Sequence, residues 1–228
     1  MRDAGVSGTY RAWAGIDYRP AVDSFFPKSM VSRLSPGARI LELGCNTGKV
    51  AVWLAGKGFL LVGVDINSQA IADAKLWAAS NGLETRIELI AADFLEWQPC
   101  EMDFDAVSLI RVLTCIPDRS HWESCLARAV SFLRPGGLLY VDDFFMDLEG
   151  TTYRNRYQAG AAKGWREGNF AVNDESGSLQ FVAHHHTEAE VTFLNDLVDQ
   201  DHYLLHHSTS MNGHPCLMFE YIGRKRRS

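Results

Sequence analysis

Two features of this 228-residue chain have the residue types and spacing to hold a nucleotide-like ligand. The first is the stretch Leu41–Val50, LELGCNTGKV, where an apolar run meets two glycines and then the start of a helical pattern. The second is Asp65, which closes the apolar run LLVGVD 21 residues after Gly44. A triphosphate loop needs four residues between its glycines and a hydroxyl after its lysine. Here Gly44 and Gly48 enclose three residues and Val50 follows Lys49, so the magnesium ligand is missing. A dinucleotide loop needs glycines where this chain has Asn46 and Lys49. Without them the backbone cannot approach a pyrophosphate, nor helix and strand pack closely. Asp65 keeps one part of that pattern. A carboxylate at the tip of the second strand accepts hydrogen bonds from ribose hydroxyls and repels a 2′-phosphate.

A ribose clamp beside a loop with little provision for phosphate suits an adenosine ligand that carries no polyphosphate. S-adenosylmethionine meets that description. Five segments, in order, resemble the class I S-adenosylmethionine-dependent methyltransferases: LELGCNTG (41–48), VGVDIN (62–67), AADFLEW (91–97), FDAVSLIRVLTCIPD (104–118) and LRPGGLLYVDDF (133–144). The resemblance covers roughly residues 35–225 and departs from the family at Asn46, where glycine is frequent. Asn tolerates unusual backbone angles, so the loop can still form. The resemblance implies S-adenosylmethionine as cofactor. It places Glu42 and the backbone of Gly44, Cys45 and Asn46 at the methionine end, Asp65 on the ribose, and Ile66 against the adenine. It also places Asp93 and Phe94 at the adenine amino group, and the Ile110–Arg111 backbone on the sulfonium side. Ile66 and Phe94 have a competing reading as core residues, and Asp93 as a helix cap.

Methyl transfer is a displacement at carbon that depends on positioning. A base is needed only when the acceptor must lose a proton. The candidate catalytic residues are Asp143 and His186. Along a strand Asp142 and Asp143 face opposite sides, so one meets the cleft and the other the flanking helices. A carboxylate that caps a turn is the competing reading. The candidate substrate contacts are Tyr10, Trp13, Tyr18, Asp142, Tyr157 and His184. Seven of the eight histidines lie between 184 and 214, but their spacing fits no zinc pattern, so no metal is expected. The position after the fourth strand reads IRVL (110–113). It lacks the Asp/Asn-Pro-Pro-aromatic signature of base-modifying amino methyltransferases, and Arg111 has the wrong sign for a magnesium ligand.

The elements that must position these residues alternate. Strands are expected at 39–43, 60–66, 86–93, 105–112 and 138–144, mostly as continuous apolar runs of the kind buried on both faces. Helices are expected at Val50–Gly56, at Ser68–Ser80 with Ser68 as cap, and from about Ser120 to Leu133. Such alternation gives a doubly wound α/β sheet. A helix at Glu188–Asp199 and two strands around the Asn212–Gly213 turn add an antiparallel hairpin. The expected whole is a Rossmann-like seven-stranded sheet, mostly parallel. Its organisation would be an N-terminal helical lid (1–38), the core (39–144 and 184–223), a substrate-side insertion (145–183) and a basic tail (224–228).

Composition sets the class. Hydrophobic residues make up 46% and the net charge is -6, although four of the 22 basic residues sit in the run Arg224–Arg227. An acidic body is a poor nucleic-acid surface. No apolar run reaches a membrane-spanning length, and five cysteines without paired spacing suit a reducing cytoplasm. The expected protein is a cytoplasmic monomer or homodimer that methylates an O or N atom of a small molecule. The alternatives are a non-catalytic S-adenosylmethionine-binding regulator and, against the missing glycines, an NAD-dependent oxidoreductase.

Overall fold

A computed structural model describes residues 9–15, 26–100, 102–210 and 213–227. A seven-stranded sheet carries the molecule, in the order β3-β2-β1-β4-β5-β9-β8. The parallel half comprises β1 (Arg39–Leu43), β2 (Leu60–Asp65), β3 (Ile87–Ala91), β4 (Phe104–Ile110) and β5 (Leu133–Phe145). The last two strands, β8 (Asp199–Thr209) and β9 (Pro215–Arg224), run antiparallel at one edge, as the hairpin pattern required. The strand order reverses between β1 and β4. That is where an open α/β sheet leaves a crevice at its carboxyl edge.

Apolar alternation sorts the two faces. On one face Ile40, Ala106 and Tyr140 meet α1 (Lys28–Val31), α2 (Lys49–Gly56) and α3 (Ser68–Ser80) through Met30, Leu54 and Ala74. On the other, Leu41, Val107 and Val141 meet α4 (Arg119–Phe132) and α6 (Glu188–Leu197) through Trp122, Leu126 and Leu194. Trp122, Leu126 and Leu194 are almost wholly enclosed, and each such side chain contributes roughly 1.5–3 kcal/mol through apolar burial.

Three expectations change. The cap of α3 is Asn67, not Ser68: the Asn67 carboxamide oxygen accepts from the amides of Gln69 and Ala70. A carboxamide oxygen one residue earlier has two lone pairs and satisfies two free amides at once. Next, β5 begins at Leu133, directly after α4, so the Arg-Pro-Gly-Gly segment belongs to the strand and pairs with β4 and β9 at its irregular start. Finally, residues 145–183, expected only as an insertion, hold elements of their own. They form α5 (Thr151–Ala161) and a separate two-stranded sheet, β6 (Asn169–Asn173) with β7 (Leu179–His184). A third apolar cluster of Phe144, Tyr153, Tyr157, Phe170, Phe181 and Met218 anchors them to the main sheet. Of the N-terminal segment, the described parts are a 3-10 turn at Thr9–Gly15 and α1; Tyr18 lies outside the described residues.

Candidate functional site

The turn after β1 is shaped by three residues of positive φ: Gly44 (74°), Asn46 (48°) and Gly48 (72°). The amides of Gly44 and Cys45 both donate to the Val64 carbonyl, which locks the turn onto β2. A Cβ at Gly44 would lie 2.5 Å from the Val112 side chain, so only glycine lets the loop after β4 close against this turn. Asn46 holds its left-handed angle with a local bond from the Thr47 amide to its own side-chain oxygen, 2.6 Å.

Asp65 stands at the tip of β2 and is 8% exposed. Its two carboxylate oxygens each accept one backbone amide, from Asn46 at 2.7 Å and Asn67 at 2.8 Å. Burial raises its pKa, and those two bonds oppose the rise. Each oxygen keeps a further lone pair, so the group can accept from two adjacent hydroxyls without giving up its orientation. Below the turn, Glu42 is 3% exposed, and its Oε2 has no hydrogen-bond partner. Burial, and then the charge of Asp65, push its pKa up to about 8. An enclosed carboxyl with an unsatisfied oxygen is costly unless a donor arrives. The ammonium of a cofactor's amino-acid tail is a donor of the right charge. These residues therefore fit S-adenosylmethionine: a diol acceptor at Asp65 and an ammonium acceptor at Glu42, joined by a turn with no phosphate cradle.

Asp93 follows β3. Its Oδ1 accepts from the Leu95 amide at 3.0 Å, and its Oδ2 accepts from the Tyr10 hydroxyl at 3.1 Å, with Arg11 at 3.4 Å. Burial and then Asp93 raise the Tyr10 phenol. The same 3-10 turn receives the Asn67 side-chain amide on the Trp13 carbonyl at 3.2 Å and sets the Trp13 ring against Phe181 of β7. One short N-terminal segment thus touches the tips of β2 and β3 and the insertion together. Ile66 and Phe94 pack against the apolar cluster on the α4 side, and Ile110 against the opposite one.

The acceptor side of the crevice is where the expectations fare unevenly. Arg111 has φ 56°, and its amide donates to the Asp142 carbonyl at 2.7 Å. Its guanidinium lies 3.9 Å from the Asp142 carboxylate and 6.0 Å from the centre of the Phe144 ring. Asp142 is fully enclosed on the α1 side, with His206 of β8 at 3.6 Å. Burial raises the Asp142 pKa, against the pull of His206 and Arg111; the nearby Asp142 carboxylate raises that of His206.

Asp143, expected as a base, faces the other way and is also enclosed. Its oxygens accept from the amides of Phe144 at 2.8 Å and Thr114 at 3.1 Å, so it fastens the loop after β4. Burial pushes it up to about 7. His186, the other expected base, has both ring nitrogens occupied: Nε2 accepts from Trp122 Nε1 at 3.0 Å and Nδ1 donates to the Phe144 carbonyl at 3.0 Å. Burial pushes its pKa down to about 3, so the ring is neutral and braced. His184, expected to meet substrate, bridges Asn169 at 2.8 Å and Glu190 at 3.0 Å. Tyr157, expected likewise, bonds His185 Nδ1 through its hydroxyl at 2.8 Å. These side chains tie the insertion to the sheet rather than line an open surface. Among the described residues, no group of three or more His, Cys, Asp or Glu side chains could hold a metal ion, and no helix is long and apolar enough to cross a membrane.

Sequence reasoning missed His206 and Glu190. Glu190 had a local signal: Thr187 and Glu190 form a reciprocal capping box at the start of α6. His206 had none, because only strand pairing through β9 brings it beside Asp142.

Known proteins share this arrangement. The family model described as a methyltransferase domain matches residues 40–137. A methyltransferase of Streptomyces halstedii, GfsG, is 33% identical over 111 residues, which cover 48% of this chain and 39% of that protein. A ubiquinone biosynthesis O-methyltransferase of Thiobacillus denitrificans is 30% identical over 105 residues, 46% of this chain and 43% of that protein. The match thus spans less than half the length of these curated relatives. The crystal structure of an S-adenosylmethionine-dependent methyltransferase from Methanosarcina mazei superposes with a TM-score of 0.82 at 29% identity, covering 90% of this chain and 99% of that one. With its turn after β1, its acidic β2 tip and its 3-2-1-4-5 sheet closed by an antiparallel pair, the chain is similar to the class I S-adenosylmethionine-dependent methyltransferases, and its residues 40–137 match their methyltransferase domain.

Proposed function

We propose that this chain binds S-adenosylmethionine and transfers its methyl group to an oxygen or nitrogen atom of a small molecule. The observation that carries the reading is the pairing of Asp65 and Glu42 across the Gly44–Gly48 turn: one offers a diol acceptor, the other an unsatisfied enclosed oxygen. The cofactor supplies the activated methyl; this chain's residues bind, orient and keep water out. Asp65 holds the ribose and Glu42 the ammonium. Ile66 and Phe94 flank the adenine, with Asp93 and Tyr10 at its edge. The Ile110–Arg111 backbone borders the reacting centre. Arg111, Asp142 and His206 stand on the acceptor side, where the Asp142 carboxylate faces the Arg111 guanidinium and the His206 ring. The relatives' names include methylation of a small-molecule hydroxyl in ubiquinone biosynthesis, which supports a small acceptor here.

The test is calorimetric titration with S-adenosylhomocysteine, followed by transfer of labelled methyl from the cofactor to a panel of hydroxyl and amine acceptors. Asp65→Ala is expected to weaken binding by about two orders of magnitude, because a buried diol clamp of charge-assisted bonds is lost. Normal binding by Asp65→Ala would overturn the assignment of the site.

A further inference from the structure

The sheet has a second feature at its opposite edge, which the methyltransferase reading leaves unused. At the amino ends of β1, β4 and β5 lies a cleft of about 210 Å³. Arg33, Arg134 and Arg224 line it, with Ser35, Gly37 and Asp105. Its distance from the turn after β1 is at least the length of a five-residue strand, roughly 17 Å.

The charges here do not balance. Arg33 Nε and Arg224 Nη2 both reach the same oxygen of Asp201, each at 3.2 Å, so two guanidiniums share one carboxylate. Arg134 pairs with Asp105 at 2.6 Å, but the second oxygen of Asp105 is spent on the Arg39 amide at 2.8 Å. Arg227 adds a further cation: its Nε stands 3.7 Å from where a Cβ on Gly136 would be. The cleft thus holds an excess of guanidinium in a chain whose net charge is -6. The three arginines remain 27%, 49% and 46% exposed; Arg33 and Arg134 also spend Nη1 on the Ser29 and Pro135 carbonyls, which, among the described residues, leaves Nη2 of each, and Nε and Nη1 of Arg224, for a ligand. The C-terminal basic run also gains a place. It is held as far as Arg226: the Gly136 amide donates to the Lys225 carbonyl, the Lys225 amide donates to the Gly137 carbonyl, and the Arg226 guanidinium donates to Asp199, Asp196 and Asn195.

We propose that this cleft is an anion site that takes a phosphate-type group of one or two phosphates. Guanidinium forks match such oxygens with paired, charge-assisted bonds. The space suits a small oxyanion and excludes a folded partner. The group can come from free inorganic phosphate or pyrophosphate, or from a phosphorylated small molecule.

The experiment is calorimetry on the full chain saturated with S-adenosylhomocysteine, so that nucleotides cannot enter the adenosine site. Inorganic pyrophosphate and ADP are titrated separately at 0.15 M ionic strength, where loose surface attraction is screened. Pyrophosphate binding that weakens by about tenfold or more in Arg134→Gln and in Arg224→Gln is expected, with homocysteine-ligand affinity and thermal midpoint unchanged. ADP binding as tightly as pyrophosphate assigns the site to the anion alone, and tighter ADP binding assigns it to a phosphorylated molecule. Absence of pyrophosphate binding at about 5 mM, or equal affinity in both variants, overturns the proposal. Failure of S-adenosylhomocysteine to bind would instead count against the proposed function, and the pyrophosphate arm would still stand.

Discussion

Glu42 should make cofactor binding release a proton. Its carboxyl is enclosed, one oxygen lacks a partner, and its pKa is pushed up to about 8. At pH 7 such a group is about 90% protonated, since one pH unit is a factor of ten. An arriving ammonium favours the charged form, so binding at pH 7 should expel about 0.9 proton. Affinity should then rise about ninefold between pH 6 and pH 7, because the ionised fraction rises by that factor. The assay is titration with S-adenosylhomocysteine at pH 6, 6.5 and 7, each in two buffers of different ionisation enthalpy. Glu42→Gln should bind more weakly and show neither the proton release nor the slope. The stability sign is separate. A carboxyl whose folded pKa lies above its unfolded value of 4.5 supports the fold below pH 4.5 and loses that support as pH rises towards 8. Glu42→Gln should therefore be most stabilising, relative to the native chain, above pH 8. A binding constant independent of pH, with equal heats in the two buffers, would refute the reasoning.

Other outcomes follow from neighbouring contacts. Gly44→Ala combines a φ of 74° with a 2.5 Å approach to Val112, so a loss of about 2–4 kcal/mol is expected, read as a lower melting temperature together with lost cofactor binding. His186→Ala should lower stability by about 2–4 kcal/mol, because the Trp122 indole and the Phe144 carbonyl each lose an enclosed partner, while cofactor affinity stays within about twofold. A pH-rate profile shaped by His186 would contradict that role. Burial opposes ionisation of Glu190, but the bond from His184, then the charges of His184, His186 and Arg166, hold its carboxyl well below the usual range. Its folded pKa is depressed, so its contribution is present above the unfolded value of 4.5 and is lost as pH falls below it; Glu190→Gln should flatten the acid limb of the melting curve.

The parallel sheet and the turn after β1 were legible in the sequence because their signals are local. The β1 turn, the Asp65 tip and the apolar runs of β1 to β5 each occupy a few consecutive residues. Pattern and backbone chemistry act there on the same short segment. The surroundings of Asp142 were less legible for the opposite reason. Asp142 and His206 meet only because β9 lies between their strands. His184, His185 and His186 looked like chemistry in sequence because three titratable side chains stood together. In the structure they are enclosed, and Asn169, Glu190, Tyr157, Trp122 and Phe144 take up their nitrogens. The partners come from up to 64 residues away, so no window of sequence could have shown the difference. The elements inside the insertion were not legible for a related reason: β6 and β7 are short and pair only with each other.

The third apolar cluster gives this chain a seam. Helix α5 and the β6–β7 hairpin rest on Phe144, Cys216 and Met218, while the turn after β1 and the Asp65 tip draw on the other two clusters. A descendant could therefore rebuild the segment between β5 and α6, provided it restored a partner for Trp122, a cover for Phe144 and the Phe181 contact that braces Trp13, and keep the turn after β1 and the Asp65 tip unchanged. Under the proposed function, such a joint would let acceptor preference change while the residues proposed to hold adenosine stay as they are.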